Sequence, residues 1–325
     1  MFPKRAKADI KAVLLAIVFL TFAAEPSLAI DAPAGTPPAV PSFFLFSDTQ
    51  LIYWHQFSGA EPRVGKPIQK NILSIAHFDS WKYGTNLISI DLFKSDKHDP
   101  AAPWGGPGFP IPAGGIGEGA FEFYGFFRST LSLNALTDSN RFAYGPIKDV
   151  SFYFGADEET KNTAFAPRKR VLVGALQFTF DVPGALTIAA GLHKERFHNG
   201  FVPLLGFPPG TRESGTFDAA PTLEAFYMHP LASILNGAPV RFSGLTFVVG
   251  PKGKDGFGNP TKTEFLTDNR LTLDLGQWVA NKPNRIDLFA GWRYWQNKFG
   301  LDPKLDRTGG TTESTAYLGL ALHPF

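Results

Sequence analysis

From Phe43 onward the chain switches between polar and apolar residues in short runs, and no long apolar span follows the N-terminal one. A period of two is the signature of a strand with two unlike faces. Twelve such segments are legible: Phe43–Phe57, Ile68–Ser80, Gly84–Ser95, Glu118–Leu131, Ile147–Ala156, Arg168–Asp181, Ala185–Phe197, Thr216–Met228, Val240–Gly250, Thr263–Leu275, Arg285–Gln296 and Glu313–Phe325. Most are near the roughly 9 to 11 residues that a tilted strand needs to cross a bilayer. In the tenth, Phe265, Leu271, Leu273 and Leu275 share one face, opposite Glu264, Asp268, Arg270, Thr272 and Asp274. A slip by one residue would move those charges into lipid. The fourth sets Phe121, Phe123, Phe127 and Leu131 against Glu118, Glu122, Tyr124 and Arg128, and the fifth sets Val150, Phe152 and Phe154 against Asp149, Ser151 and Tyr153. A strand half-buried on a soluble core would alternate in the same way, but it does not call for so apolar a second face.

The connections point to closure. Trp81-Lys82-Tyr83-Gly84, Asp181-Val182-Pro183-Gly184 and Asn281-Lys282-Pro283-Asn284 are short and carry Gly, Pro or Asn where the chain reverses. Between them fall the longer Ser95–Gly117, His198–Gly215 and Pro251–Lys262, which suit the outer side of a barrel with short periplasmic turns. Lipid offers backbone amides no partner, so membrane strands must close on themselves. The fold expected for 43–325 is therefore all-β: a transmembrane antiparallel up-and-down β-barrel of about 12 strands. The first, second and ninth segments alternate poorly, which leaves ten and fourteen as the neighbouring even counts.

The N-terminus adds an address. Lys4, Arg5, Lys7 and Lys11 precede the apolar stretch Ala12–Ala24, and Ser27-Leu28-Ala29 offers small residues at a cleavage site. Residues 1–29 read as a signal peptide, because the apolar stretch is short of the roughly 20 residues of a spanning helix. Residues 30–42 read as a Pro-rich tether with nothing to bury. Of 31 Lys+Arg and 29 Asp+Glu, four and two lie in the signal, leaving 27 of each sign in the mature chain. That balance favours neither nucleic acid, an anionic surface nor an ion-selective lumen. There is no cysteine, hence no lipid-anchored cysteine and no disulfide, while 32 Phe and 33 Gly against 2 Met suit strands, turns and aromatic girdles. The chain ends on Phe325, and a terminal aromatic on an alternating last strand resembles the signal read by barrel-assembly machinery. His323 and Pro324 depart from its usual spacing. The location expected is the outer membrane of a Gram-negative cell.

Several motifs, taken in order, resemble the Tsx family of nucleoside-specific outer-membrane channels. Tyr53-Trp54-His55-Gln56 is similar to that family's early Trp-Trp-His-Gln. Tyr144-Gly145-Pro146-Ile147-Lys148-Asp149 followed by Ser151-Phe152-Tyr153 resembles its Phe-Gly-Pro-Phe-Lys-Glu turn and strand, and Trp292-Arg293-Tyr294-Trp295 resembles its Ala-Arg-Tyr-Trp strand. The resemblance implies a monomeric barrel of roughly twelve strands with a narrow lumen, through which nucleosides pass between aromatic and ionisable side chains. Asp96–Gly117 has no counterpart in the family, and Phe largely replaces Trp and Tyr.

A nucleoside has a flat π face and hydroxyls, so a pore for it needs stacking surfaces and paired polar groups that release as readily as they bind. Alternation places Asp91, Glu122, Tyr124, Arg128, Asp149, Tyr153, Glu264, Asp268, Arg270, Asp274, Arg293 and Trp295 inward, with Asp181 and Glu195. Trp54 and Gln56 share one face of the first strand and His55 takes the other. Inward ion pairs also simply fill small barrels. The function expected is diffusion of nucleosides or similar small solutes through a barrel bounded by outer-membrane lipid, with no cofactor and no nucleic-acid partner. The alternatives are a lipid-acting barrel enzyme and a structural or receptor barrel without transport. His193 and Glu195 fall on one strand face, as a base and its orienting group would. No serine accompanies them in an outer-membrane phospholipase pattern and no metal-ligand spacing is present, so no enzyme is expected.

Overall fold

In a computed structural model, the structure describes residues 43–62, 64–99, 119–162, 167–199 and 210–324. The expected signal and tether, most of Asp96–Gly117 and Phe325 lie outside the described residues.

The strands are β1 (Phe44–Gly59), β2 (Ile68–Trp81), β3 (Gly84–Ser95), β4 (Phe121–Ser132), β5 (Ile147–Lys161), β6 (Arg168–Phe180), β7 (Ala185–His198), β8 (Ser214–Thr216), β9 (Ala220–Pro230), β10 (Val240–Val249), β11 (Glu264–Asp274), β12 (Ile286–Gln296) and β13 (Thr312–Leu322). Each pairs antiparallel with its neighbours in one sheet, β1 pairs with β13, and the β6–β7 pairing closes the ring. The expected Thr216–Met228 strand is interrupted: β8 pairs with the outer end of β7 and β9 with the rest of it. Together they fill one position in the wall, so the barrel is twelve-stranded. No helix among the described residues is long and apolar enough to cross a membrane.

Alternation sorts the side chains as hydrocarbon requires. On β3, Ile88, Ile90 and Leu92 are exposed on the outer face, whereas Ser89, Asp91 and Phe93 face the lumen. Phe152, Phe154, Leu271, Leu288 and Leu318 continue the apolar belt on other strands. The stacked pair Trp292–Tyr294 supplies amphipathic rings of the kind found where lipid meets water. A closed wall with this belt is an outer-membrane barrel.

One end carries the tighter connections. Only Lys82 and Tyr83 join β2 to β3, and 181–184 join β6 to β7. The β4–β5, β9–β10 and β11–β12 connections at this end are longer, and the first and last of them hold short helices, α1 (Leu133–Leu136) and α2 (Leu275–Ala280), which a composition poor in helix formers does not lead one to expect. Each helix has a side-chain cap: Ser132 accepts from the Ala135 amide and Asp274 from the Gln277 amide.

The terminal strands meet at this rim. His323, just beyond β13, bonds Asp48 of β1 through Nδ1 at 2.8 Å and Asp287 of β12 through Nε2 at 3.1 Å. The bond to Asp287 does most to raise the imidazole above its ordinary value; burial opposes it, and the bond to Asp48 and the two carboxylate charges add to the rise. A raised folded value means that the proton stabilises the fold. The contribution is complete below about pH 6.5, the ordinary imidazole value, and fades as pH climbs through the raised one. Resistance to urea unfolding is therefore expected to fall across that window. His323→Gln should remove this pH step; an unchanged step in the variant would assign it elsewhere.

Candidate functional site

The barrel encloses a cavity of about 870 Å³ lined from Trp81 and Lys82 at the tight-turn rim to Lys298 and Phe299 at the other. Every sequence-predicted lumen residue lines it except Asp274, Asp181 and Glu195. Asp274 is a correction: it is buried, and its two oxygens accept from the amides of Gln277 and Asn284 at 2.8 Å each, so it caps α2 and its turn. Asp181 is exposed in the β6–β7 turn, beyond the end of β6. Glu195 does point inward, but it is buried beneath Lys252, whose Nζ lies 2.6 Å away.

Across the middle of the lumen runs a bar of side chains from opposite walls. Arg128 of β4 donates to Glu224 of β9 through Nε at 2.8 Å and through Nη2 at 3.1 Å, and it also pairs with Asp157 of β5. Three strands separate β4 from β9 around the wall, so the bond is a chord and not a cross-strand pair. Tyr153 donates to the same Glu224. The guanidinium lies 4.1 Å above the Phe126 ring, and that ring meets Phe247 of β10 at 6.1 Å and Phe226 of β9 at 6.3 Å. Gly155 is directly opposite Arg128 in the ladder, and a Cβ there would sit 2.8 Å from the Arg128 side chain. The absent side chain is what lets Arg128 lie across β5.

A second group faces this bar. Arg293 pairs with Asp268 at 2.7 Å, and Tyr317 donates to the same carboxylate. Gly291, paired with Tyr317, has no Cβ to obstruct the ring on its way to β11. Arg293 lies 5.3 Å over Trp54, whose Nε1 donates to Ser74 at 3.1 Å and whose ring meets Tyr317 at 5.1 Å. Trp54 and Gln56 therefore face inward, as expected, and Gln56 donates to Glu313 at 3.0 Å. Arg270 stands 5.3 Å over Phe289, and Trp295 donates to Glu264 at 2.9 Å. Asp149 accepts from Ser151 at 3.1 Å.

At the outer end the walls are tied by buried lysines. Glu61, in the β1–β2 connection, receives Lys70 at 2.9 Å, Lys161 at 3.5 Å and Lys298 at 3.6 Å. Burial alone would raise its carboxyl, but those ammoniums hold it well below the usual range. Lys70 and Lys161 also reach Glu122, and Lys298 reaches Glu313 at 3.1 Å.

The bar was missed from sequence. Phe126 has the parity of Glu122 and Arg128, so its inward position was readable, but a phenylalanine in that strand invites assignment to lipid. Glu224 alternates with Leu223, yet nothing in either segment tells that β4 and β9 stand on facing walls.

No protein-family model matches the chain, and no curated protein matches it; the resemblance to the Tsx family rests on its motifs. Similar solved structures include the translocator domain of autotransporter NalP from Neisseria meningitidis, at 12% identity over 97% of this chain and 95% of that one, with a TM-score of 0.41. The KdgM porin aligns at 8% identity over 85% and 99%, with a TM-score of 0.39. OprD from Pseudomonas aeruginosa aligns at 11% identity over 87% and 96%, with a TM-score of 0.32. The fold itself rests on the closed ladder of strand pairs.

Proposed function

We propose that the barrel is a non-catalytic diffusion channel for small solutes, with a preference for nucleosides. The observation that supports this most is the continuous lining of the cavity from rim to rim, with aromatic faces set among charged groups, most of which are ion-paired. Trp54, Tyr124, Phe126 and Trp295 offer stacking surfaces, and Arg293–Asp268 and Glu122–Lys70 offer paired donors and acceptors. Such a wall can exchange hydrogen bonds with sugar hydroxyls without stranding a charge, so binding stays weak enough to release.

Single-channel recording of the refolded protein in planar bilayers tests the reading. Adenosine is expected to block the current in a concentration-dependent way, more strongly than a sugar of similar size. Arg293→Ala and Glu122→Ala should each change that block while the barrel still assembles. Block that is equal for adenosine and the sugar would remove the nucleoside preference, and a silent bilayer would remove the channel.

A further inference from the structure

Beyond the expected signal the sequence carries 27 groups of each sign, but the conduit is not balanced. Among the described residues that line it are ten carboxylates against seven lysines and arginines, with His193 counted as neutral. One of the seven, Lys82, lies exposed at the tight-turn rim.

The excess has a structural cause. Arg128 serves two carboxylates, Asp157 and Glu224. Asp91, Asp149 and Glu159 form no ion pair among the described residues; Asp91 accepts from the Ser89 hydroxyl at 3.2 Å, and Asp149 accepts from Ser151. Asp91, Tyr124 and Glu159 stand side by side in register on β3, β4 and β5, all facing the lumen. No facing cation bonds either of them, although Lys169 attracts Glu159 from the next strand. Arg293 is held by Asp268. Lys169, opposite Glu159 in the ladder, lies 5.5 Å over Phe299 and 6.0 Å over Trp295.

We propose that this channel passes cations in preference to anions, and that Asp91 and Glu159 set the preference. The inference rests on the channel reading and adds the sign of charge to it. A wall of low dielectric focuses the field of its unpaired charges into the water between them, and carboxylates lining a path are a recurrent basis of cation selectivity. Neutral solutes are indifferent to this field, so the preference coexists with nucleoside passage.

The test is the reversal potential of the refolded wild-type protein in a KCl gradient buffered at about pH 9, well above the ordinary carboxylate range. K⁺ is expected to be favoured over Cl⁻, most clearly in dilute salt, where the Debye length is about 30 Å, and least near 1 M, where it is about 3 Å. Asp91→Asn combined with Glu159→Gln should lower the K⁺/Cl⁻ permeability ratio toward unity, and Lys169→Met should raise it. Glu213→Gln, an exposed change in an outer loop, should leave it unaltered. None of the lumen changes breaks an ion pair, and heat-modified mobility on gels checks that each variant has folded. A conducting pore that prefers Cl⁻, or a ratio unmoved in both lumen variants, overturns the inference and leaves the channel standing. A protein that folds but never conducts removes both.

Discussion

Arg128→Ala is expected to raise single-channel conductance and to admit larger solutes than the wild type. Arg128 is the member of the mid-lumen bar that joins both of its layers, bonded to Glu224 and Asp157 on one side and stacked on Phe126 on the other. Its removal leaves two carboxylates buried without their partner, and breaking one member of a buried pair costs roughly 3–5 kcal/mol. The variant should therefore also unfold at lower urea. Adding Glu224→Gln and Asp157→Asn restores some stability by removing the stranded charges, but it does not rebuild the bar. Conductance should then stay high while stability recovers, and this separates a wider path from a loosened wall. Conductance equal to wild type in both variants would mean that ions pass elsewhere.

The second large effect is a contrast between neighbours on β3. Ile90→Arg puts a charge on the lipid face, where an arginine near the bilayer midplane costs roughly 2–4 kcal/mol. Ser89→Arg, one residue away, puts the same charge into the lumen. Ile90→Arg is expected to reduce the yield and urea resistance of the refolded barrel. Ser89→Arg should assemble normally but carry less current and a weaker preference for K⁺. Equal damage from both would mean that the two faces are not lipid and lumen.

The wall of the barrel was legible because a period of two is a local property. Each strand must be apolar on the face that meets hydrocarbon, so parity within one segment assigns both faces. Glu264, Asp268, Arg270, Trp54 and Gln56 are placed inward by parity alone. Helical turns at the rim were not legible, since α2 begins at Leu275 where the tenth segment still alternates. The same blind spot misassigned Asp274, whose parity is inward but whose oxygens are taken by backbone amides of the turn. What joins opposite walls was hidden for a different reason. Arg128–Glu224 and Phe126–Phe247 connect strands far apart in the ring, and no pattern within a segment reports on a chord. The faint signals were Gly155 and Gly291, inward glycines beside long polar side chains on the paired strands.

The absence of native cysteine allows both faces of the wall and the passage through it to be probed in one experiment. Ser89→Cys, Ile90→Cys, Asp91→Cys and Leu92→Cys can each be introduced singly into β3 and treated with a bulky charged thiol reagent during bilayer recording. The reagent is expected to cut the current at Ser89→Cys and Asp91→Cys and to leave it unchanged at Ile90→Cys and Leu92→Cys. Current insensitive to modification at all four positions, or sensitive at Ile90→Cys and not at Ser89→Cys, would contradict that expectation.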